Sequence, residues 1–423
     1  MARRSGRKRS RKAPRANGIF ARRTGREWAG RIALALGLAT CGFWATANSL
    51  AQVAAKADPA RAHAMAAGDG KILGEYAQEA FARKPVAAPA SLPARLAREA
   101  LMADATAAEA LTVLGFQAEL RGDTTEAKRI FAYSQVLTRR ELRPRMWAIE
   151  EAVSRGDIEG ALRNYDIALR ISDDAAAMLF PTLSAALVEP RVRAALLRVL
   201  KTSPVWTDAF VAYAANSGIE PEGAIALFAE SGAHGIEPTA PLRANLVNAL
   251  MARDKPHEAW NYYRTFRPGA HRDRSRDPTF SLDADVRAVF DWQARNDARI
   301  SAAILREGDG GLLDFAVPPS VGGELVRQVQ LLPTGRYRLA GQSRGVVQRE
   351  YSRPYWALSC QDGRLLGRVP LANSAENQGK FSGEFVVPPN CPVQILALFA
   401  RSTDDIMGVS GQIVRAQLTR IGQ

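Results

Sequence analysis

Histidine and carboxylate side chains could supply acid–base or metal chemistry, but their positions in this sequence do not form a recognisable site. The four histidines all precede residue 311: His63, His234, His257 and His271. The segment 311–423 therefore has neither a Ser-His-Asp arrangement nor a histidine metal site of its own. Its carboxylates mostly lie at predicted turns or beside other charges: Asp314, Glu324, Glu350, Asp362, Glu376, Glu384, Asp404 and Asp405.

Two chemical alternatives for these carboxylates stay open, a glycosidase-like pair and a calcium site at Asp404-Asp405. The sequence contains no phosphate-binding glycine loop, no dinucleotide fingerprint and no nucleophile elbow. We therefore expect a protein that is not an enzyme and that uses no cofactor or metal.

Two of the three cysteines are predicted to form a disulfide. Cys41 lies in an apolar segment, whereas Cys360 and Cys391 each share the more apolar face of a predicted strand. A bridge between Cys360 and Cys391 would persist only in an oxidising compartment. Two reduced, buried thiols are the alternative.

Two tyrosines in the same C-terminal segment are candidates for glycan binding. Tyr355 lies on the strand face opposite Trp356, and Tyr351 lies just before it. Exposed aromatic rings can bind sugars, but half-buried packing residues with hydrated hydroxyls are the ordinary alternative.

The strongly basic balance of the chain belongs to its N-terminal tail. Residues 1–31 carry +11 of the formal charge of +14. A folded nucleic-acid-binding domain would carry its positive patch on its own surface, so we expect no nucleic-acid partner. Because the body is nearly balanced in charge, the tail is better explained by contact with anionic lipids.

An uncharged segment, 32–55, follows the tail and is long enough to cross a bilayer as a helix. The positive flank predicts a single-pass bacterial inner-membrane protein with a cytoplasmic N-terminus and a periplasmic body. Ser49-Leu50-Ala51 leaves a cleaved signal peptide open as an alternative. Residues 56–97, rich in Ala, Pro and charge, are predicted to be a semi-extended linker with a short helix around Ile72–Phe81.

A repeat is visible from about residue 98 to residue 268. Gly122-Asp123 recurs as Gly156-Asp157, 34 residues later, with a small residue and an aromatic residue following in phase. This pattern resembles the tetratricopeptide repeat. The positions in phase are Leu114, Gly115, Gly122, Ala127 and Phe131, then Gly156, Ala161 and Tyr165, then Ala224 and Phe228, then Ala259 and Tyr263.

The resemblance implies stacked helical hairpins in which Gly122 makes a turn, Ala127 packs closely and Phe131 fills the hairpin core. It also implies a concave surface that binds an extended peptide or a helix of a protein partner, to which Gln117 and Asn245 could contribute. An irregular helical bundle is the alternative fold for this region.

The hydrophobic period changes from helical to alternating in the C-terminal quarter. Residues 269–310 are predicted to be a polar break followed by a helix from Asp283 to about Arg306. Residues 311–423 are predicted to be an all-β, jelly-roll-like sandwich. Its predicted strands are Gly335–Gly341, Tyr355–Cys360, Arg364–Val369, Phe381–Val387, Val393–Arg401 and Gly411–Arg420.

The sequence therefore predicts a multidomain protein with a single transmembrane helix, an all-α helical-repeat domain and a β-sandwich. The expected function is that of a periplasmic interaction scaffold, in cell-envelope or exopolysaccharide assembly. A periplasmic protein that binds a polysaccharide through its β-sandwich is the alternative.

Overall fold

The computed structural model describes residues 25–282, 286–308 and 310–422. The chain divides into two compact units, one ending at Trp147 and one beginning at Ala148. The predicted fold class is confirmed: an apolar helix near the N-terminus precedes a helical region, and two antiparallel sheets follow.

The first helix, α1 (Gly25–Ala54), is 30 residues long. Its length and apolar composition would allow it to cross a membrane, and it contains nearly all of the predicted span 32–55. Its large apolar side chains, such as Leu34 and Phe43, are exposed. The helix is therefore compatible with a single-pass anchor or a signal sequence. Most of the predicted cytoplasmic tail lies outside the described residues.

Five further helices follow in the first unit, and they correct the prediction of a semi-extended linker over 56–97. Leu73 and Ala77, one turn apart, are buried against Leu96 and Ala100, so apolar packing orders this segment. The predicted helix Ile72–Phe81 is confirmed within a longer one. The helices are α2 (Pro59–Met65), α3 (Gly70–Arg83), α4 (Leu92–Ala103), α5 (Ala108–Leu120) and α6 (Thr124–Leu137).

Helix α7 (Leu142–Ser154) spans the division between the units, and seven helices follow it in the second unit. Proline opens three of these helices, where its missing N–H removes no hydrogen bond. They are α8 (Ile158–Ile171), α9 (Asp174–Ala185), α10 (Pro190–Leu200), α11 (Thr207–Asn216), α12 (Pro221–Ser231), α13 (Ala240–Ala252) and α14 (Pro256–Phe266).

The β-region is a sandwich of two five-stranded antiparallel sheets with one shared apolar core. The strands are β1 (Gln293–Ala294), β2 (Ser301–Glu307), β3 (Gly310–Val317), β4 (Gly323–Gln330), β5 (Gly335–Arg344), β6 (Tyr355–Cys360), β7 (Leu365–Pro370), β8 (Lys380–Val387), β9 (Gln394–Ala400) and β10 (Val409–Arg420). One sheet has the order β1-β4-β9-β6-β7, and the other has the order β2-β3-β10-β5-β8. Trp356, Phe385 and Leu398 are buried between them.

All six predicted strands are confirmed to within a few residues, as β5 to β10. The helix predicted from Asp283 to Arg306 is wrong, because β1 and β2 occupy its second half. Strand β2 pairs along its whole length with β3, from Ser301 opposite Ala316 to Glu307 opposite Gly310. This hairpin pairing outweighs the helical spacing of the apolar residues.

A buried arginine joins α14 to the sandwich. The Arg276 side chain donates hydrogen bonds to Phe290 O at 2.9 Å, to Gln330 Oε1 at 2.8 Å and to Val329 O. Its guanidinium lies 5.3 Å from the centroid of the Trp260 ring. Burial lowers the pKa of Arg276 to about 10, so the side chain stays charged at neutral pH. This polar network thus helps to hold the helical and β parts of the second unit together.

Candidate functional site

An amide-lined groove lies between α11 and α13. Its volume is about 490 Å³, and its lining includes Asn216, Gly218, Asn245, Asn248 and Arg253. Asn245 Nδ2 donates a 2.6 Å hydrogen bond to Asn216 Oδ1. Side-chain amides carry both donors and acceptors, so this groove offers the two kinds of group that a peptide backbone needs.

Asn248 already binds main chain in this way. Its Oδ1 accepts a hydrogen bond from Val289 N at 2.8 Å, and its Nδ2 donates one to Arg287 O at 3.4 Å. Val289 O in turn accepts from Val329 N at 3.0 Å, so the bound segment also hydrogen-bonds to the end of β4. The asparagine therefore recognises two main-chain groups that are two residues apart.

Asn245 lies one turn before Asn248 on α13 and is half-buried. Within the described residues its side chain bonds only to Asn216, which leaves donor and acceptor capacity toward the groove. Arg253 closes one end, where its guanidinium donates to Ile219 O and lies 4.0 Å from Glu220. Asn245 thus lines this groove, and its contact with a partner stays a prediction.

Gln117 has a different role. Its side chain is buried, and its Nε2 donates to Val86 O at 3.1 Å and to Ser91 Oγ at 2.9 Å. These bonds tie the segment before α4 to α5, so the amide is not free to contact a partner. Asn216 and Asn248 were not predicted, and the only sequence signal for Asn248 was its spacing of three residues from Asn245.

The residues predicted to build the repeats occupy packing positions. Gly122 and Gly156 both have left-handed backbone, with φ of 78° and 70°, and end their helices. The aspartate after each one caps the next helix, with Asp123 accepting from Glu126 N and Asp157 from Gly160 N. The predicted small and aromatic positions are buried: Ala127, Phe131, Ala161, Tyr165, Ala224, Phe228, Ala259 and Tyr263.

Close packing explains why residue 115 is a glycine. Its neighbour Leu114 is partly buried. A β-carbon built on Gly115 would lie 2.5 Å from the Phe131 ring. Phe131 also packs against Phe116, with 5.0 Å between ring centroids. Helices α5 and α6 can therefore approach closely only because residue 115 has no side chain.

A second cleft, of about 570 Å³, opens between loops of the sandwich. Its polar lining consists of Gln348, Arg349, Glu350, Ser352, Arg353, Asn373, Thr403, Asp404 and Asp405. Tyr351 lies beside it, half exposed, and its hydroxyl donates a 2.6 Å hydrogen bond to Asp404 Oδ1. This hydrogen bond is the main cause that lowers the pKa of Asp404.

Tyr355, the other glycan-binding candidate, is more enclosed. Its ring stacks on Phe399, with 5.5 Å between centroids. The guanidiniums of Arg368 and Arg401 each lie 4.9 Å from its centroid. A sugar would have to displace these groups to stack on the ring, so Tyr351 is the better placed of the two tyrosines.

Cys360 and Cys391 form a disulfide with an S–S distance of 2.01 Å and a Cα–Cα distance of 5.6 Å. Both residues are buried, while Cys41 is a free, exposed cysteine in α1. The bond joins the end of β6 to the loop before β9, and it favours an oxidising compartment. Among the described residues, no three His, Cys, Asp or Glu side chains come together to hold a metal ion.

No protein-family model and no curated protein matches this chain. Among solved structures, the enzymatically active domain of tailspike protein 4 from bacteriophage CBA120 is similar at 12% identity and a TM-score of 0.21, covering 31% of this chain and 19% of that one. A Glycosylation Associate Protein complex from Streptococcus agalactiae is similar at 14% identity and a TM-score of 0.20, covering 29% and 40%. This chain therefore spans less than half of either structure.

Proposed function

We propose that this protein is a membrane-anchored scaffold whose helical repeats bind an extended segment of a protein partner in the groove between α11 and α13. The anchor is α1, the N-terminus is cytoplasmic and the body is periplasmic, in the setting of cell-envelope or exopolysaccharide assembly. The observation that supports the binding mode most directly is the pair of hydrogen bonds between Asn248 and the main chain of residues 287 and 289.

The groove continues this mode of recognition along α13. Asn245 and Asn248 are three residues apart and therefore share one face of the helix. A partner segment lying over Asn245 would exchange hydrogen bonds with its amide, as residues 287–289 do with Asn248. Asn216 would supply a second amide. Only its Oδ1 is used in the hydrogen bond with Asn245, so its Nδ2 can donate to the partner.

Cross-linking inside the cell tests the binding site. A photoreactive residue at position 245 is expected to form a reproducible protein adduct, whereas the same residue at the exposed Gln361 is not. Adding Asn216→Ala should reduce the adduct at position 245, since the partner loses an amide contact. An adduct that is equal at both positions, or no adduct at position 245, contradicts the proposed groove.

Fusion reporters test the proposed topology. Alkaline phosphatase joined after residue 423 should be active, because it needs an oxidising compartment, and a cytoplasmic reporter at the same place should not. Protein of full length in the membrane fraction would distinguish an anchor from a cleaved signal peptide. The reverse pattern of reporter activity contradicts the assignment of the body to the periplasm.

Glycan binding by the sandwich is the second candidate, supported by the polar cleft beside Tyr351. Amide, hydroxyl, carboxylate and guanidinium groups line it, as recognition of sugar hydroxyls requires. In this case Tyr351→Ala should weaken binding to an immobilised glycan array more than Tyr355→Ala. Equal binding by both variants and the unmodified protein argues against this candidate.

A further inference from the structure

A basic groove lies along one face of α14, separate from the amide groove and from the sandwich cleft. His257, Trp260, Asn261 and Arg264 follow one another at the spacing of adjacent helical turns. The chain then turns at Pro268-Gly269, where Ala270 N donates to Arg267 O at 3.0 Å. This turn returns His271 and Arg272 to the same groove, which has a volume of about 600 Å³.

The polar side chains that line this groove form no hydrogen bond or ion pair with other described residues. Within the described residues, neither Arg264 nor Arg272 forms an ion pair or a hydrogen bond, and no lining residue carries a carboxylate. The nearby Asp273 is engaged by Arg274, at 2.9 and 3.2 Å. Positive charge is thus concentrated in the groove without an internal counterion.

The two arginines are close enough to affect each other. Partial burial, followed by the positive charge of Arg264, lowers the pKa of Arg272. The Arg272 guanidinium also lies 5.8 Å from the centroid of the Trp260 ring, which restricts its position. The buried Trp260 ring therefore supports the guanidinium of Arg272, while Arg264 on α14 lines the same groove.

We propose that this groove binds a phosphate ester. A carboxylate offers one charge and two oxygens, which a single guanidinium can satisfy. A phosphate monoester offers up to two charges and three oxygens, so it can engage Arg264 and Arg272 together. Asn261, His257 and His271 can donate further hydrogen bonds to the same group.

The phosphate could belong to a soluble ester or to a lipid headgroup, and one experiment distinguishes the two sources. Detergent-solubilised full-length protein is titrated calorimetrically with inorganic phosphate, with short-chain phosphatidic acid and with acetate. Saturable binding of phosphate and phosphatidic acid assigns the groove to phosphate esters in general. Binding of phosphatidic acid alone assigns it to a lipid headgroup.

Matched variants locate the site. Arg264→Gln and Arg272→Gln should each weaken binding by about tenfold or more, because each removes a charge-assisted hydrogen bond. Arg299→Gln, at an exposed arginine outside the groove, removes the same charge and should leave binding unchanged. The proposal is overturned if phosphate and phosphatidic acid both fail to bind, if acetate binds as tightly, or if Arg299→Gln has the same effect as the groove variants.

Discussion

The hydroxyl of Tyr263 on α14 lies 2.6 Å from Oδ1 of Asp291 in the sandwich and donates a hydrogen bond to it. The other carboxylate oxygen of Asp291 accepts from Ala288 N at 3.0 Å. Both residues are buried, so this bond holds the last helix against the segment that leads into β1. The same tyrosine was predicted as the aromatic residue of the fourth repeat, and it has this second role as well.

Tyr263→Phe should destabilise the second unit by about 1–2 kcal/mol, because it leaves a buried carboxylate oxygen without its partner. Denaturant unfolding followed by circular dichroism measures the change. The control is Tyr213→Phe, whose hydroxyl makes no hydrogen bond within the described part of the chain. Equal stability of the two variants would show that the Tyr263–Asp291 bond contributes little.

Alkaline pH should unfold the protein through its buried tyrosines. Burial raises the pKa of Tyr262 to about 12, and burial and then the charge of Asp291 raise that of Tyr263. Since both are neutral in the folded state and ionise near pH 10 when unfolded, their stabilisation is complete below about pH 10 and is lost above it. Between about pH 10 and its folded-state pKa, each tyrosine should lower the free energy of unfolding by about 1.4 kcal/mol per pH unit.

The measurement is the free energy of unfolding at about pH 9 and about pH 11. Phenylalanine at both positions 262 and 263 should flatten the dependence, since neither group can then ionise. A slope that stays the same in this double variant would assign the alkaline loss to other groups.

Removing the disulfide should lower the free energy of unfolding by about 3–4 kcal/mol in the chain-entropy account. The sequence separation of Cys360 and Cys391 is 31 residues. Alanine at both positions is the test, and Cys41→Ala is the control, because Cys41 is free and exposed. Mass spectrometry of protein alkylated after unfolding without reductant should find Cys41 modified and the other two cysteines protected; modification of all three contradicts the bond.

Gly115→Ala should destabilise the first unit by about 1–3 kcal/mol, because the new methyl group would press on the Phe131 ring. Helix propensity alone predicts the opposite sign, a gain of up to about 1 kcal/mol. Gly68→Ala, where nothing lies within 4 Å of the added atom, is the control. Thermal unfolding that shows a stabilised Gly115→Ala protein would mean that α5 and α6 pack less closely than described.

Local patterns in the sequence predicted much of the fold, because backbone preferences and the alternation of side chains determine those parts. Gly122 and Gly156 needed left-handed backbone, and strand alternation located β6 and placed Cys360 on its buried face. The errors arose where strand pairing or tertiary packing, and not the local hydrophobic spacing, decides the structure. Residues 301–307 are apolar and alanine-rich enough for a helix, yet β3 pairs with them. Among the candidate sites, Asn245 was predicted but Asn216 was not, because only tertiary packing brings them together.

The position of β10 has a consequence for how the sandwich assembles. This strand is the last along the chain, yet it occupies the centre of its sheet, between β3 and β5. Until β10 has been synthesised, β2 and β3 have no link to β5 and β8 within that sheet. Order of synthesis therefore leaves these earlier strands as two separate pairs until the twelve residues of β10 complete the sheet.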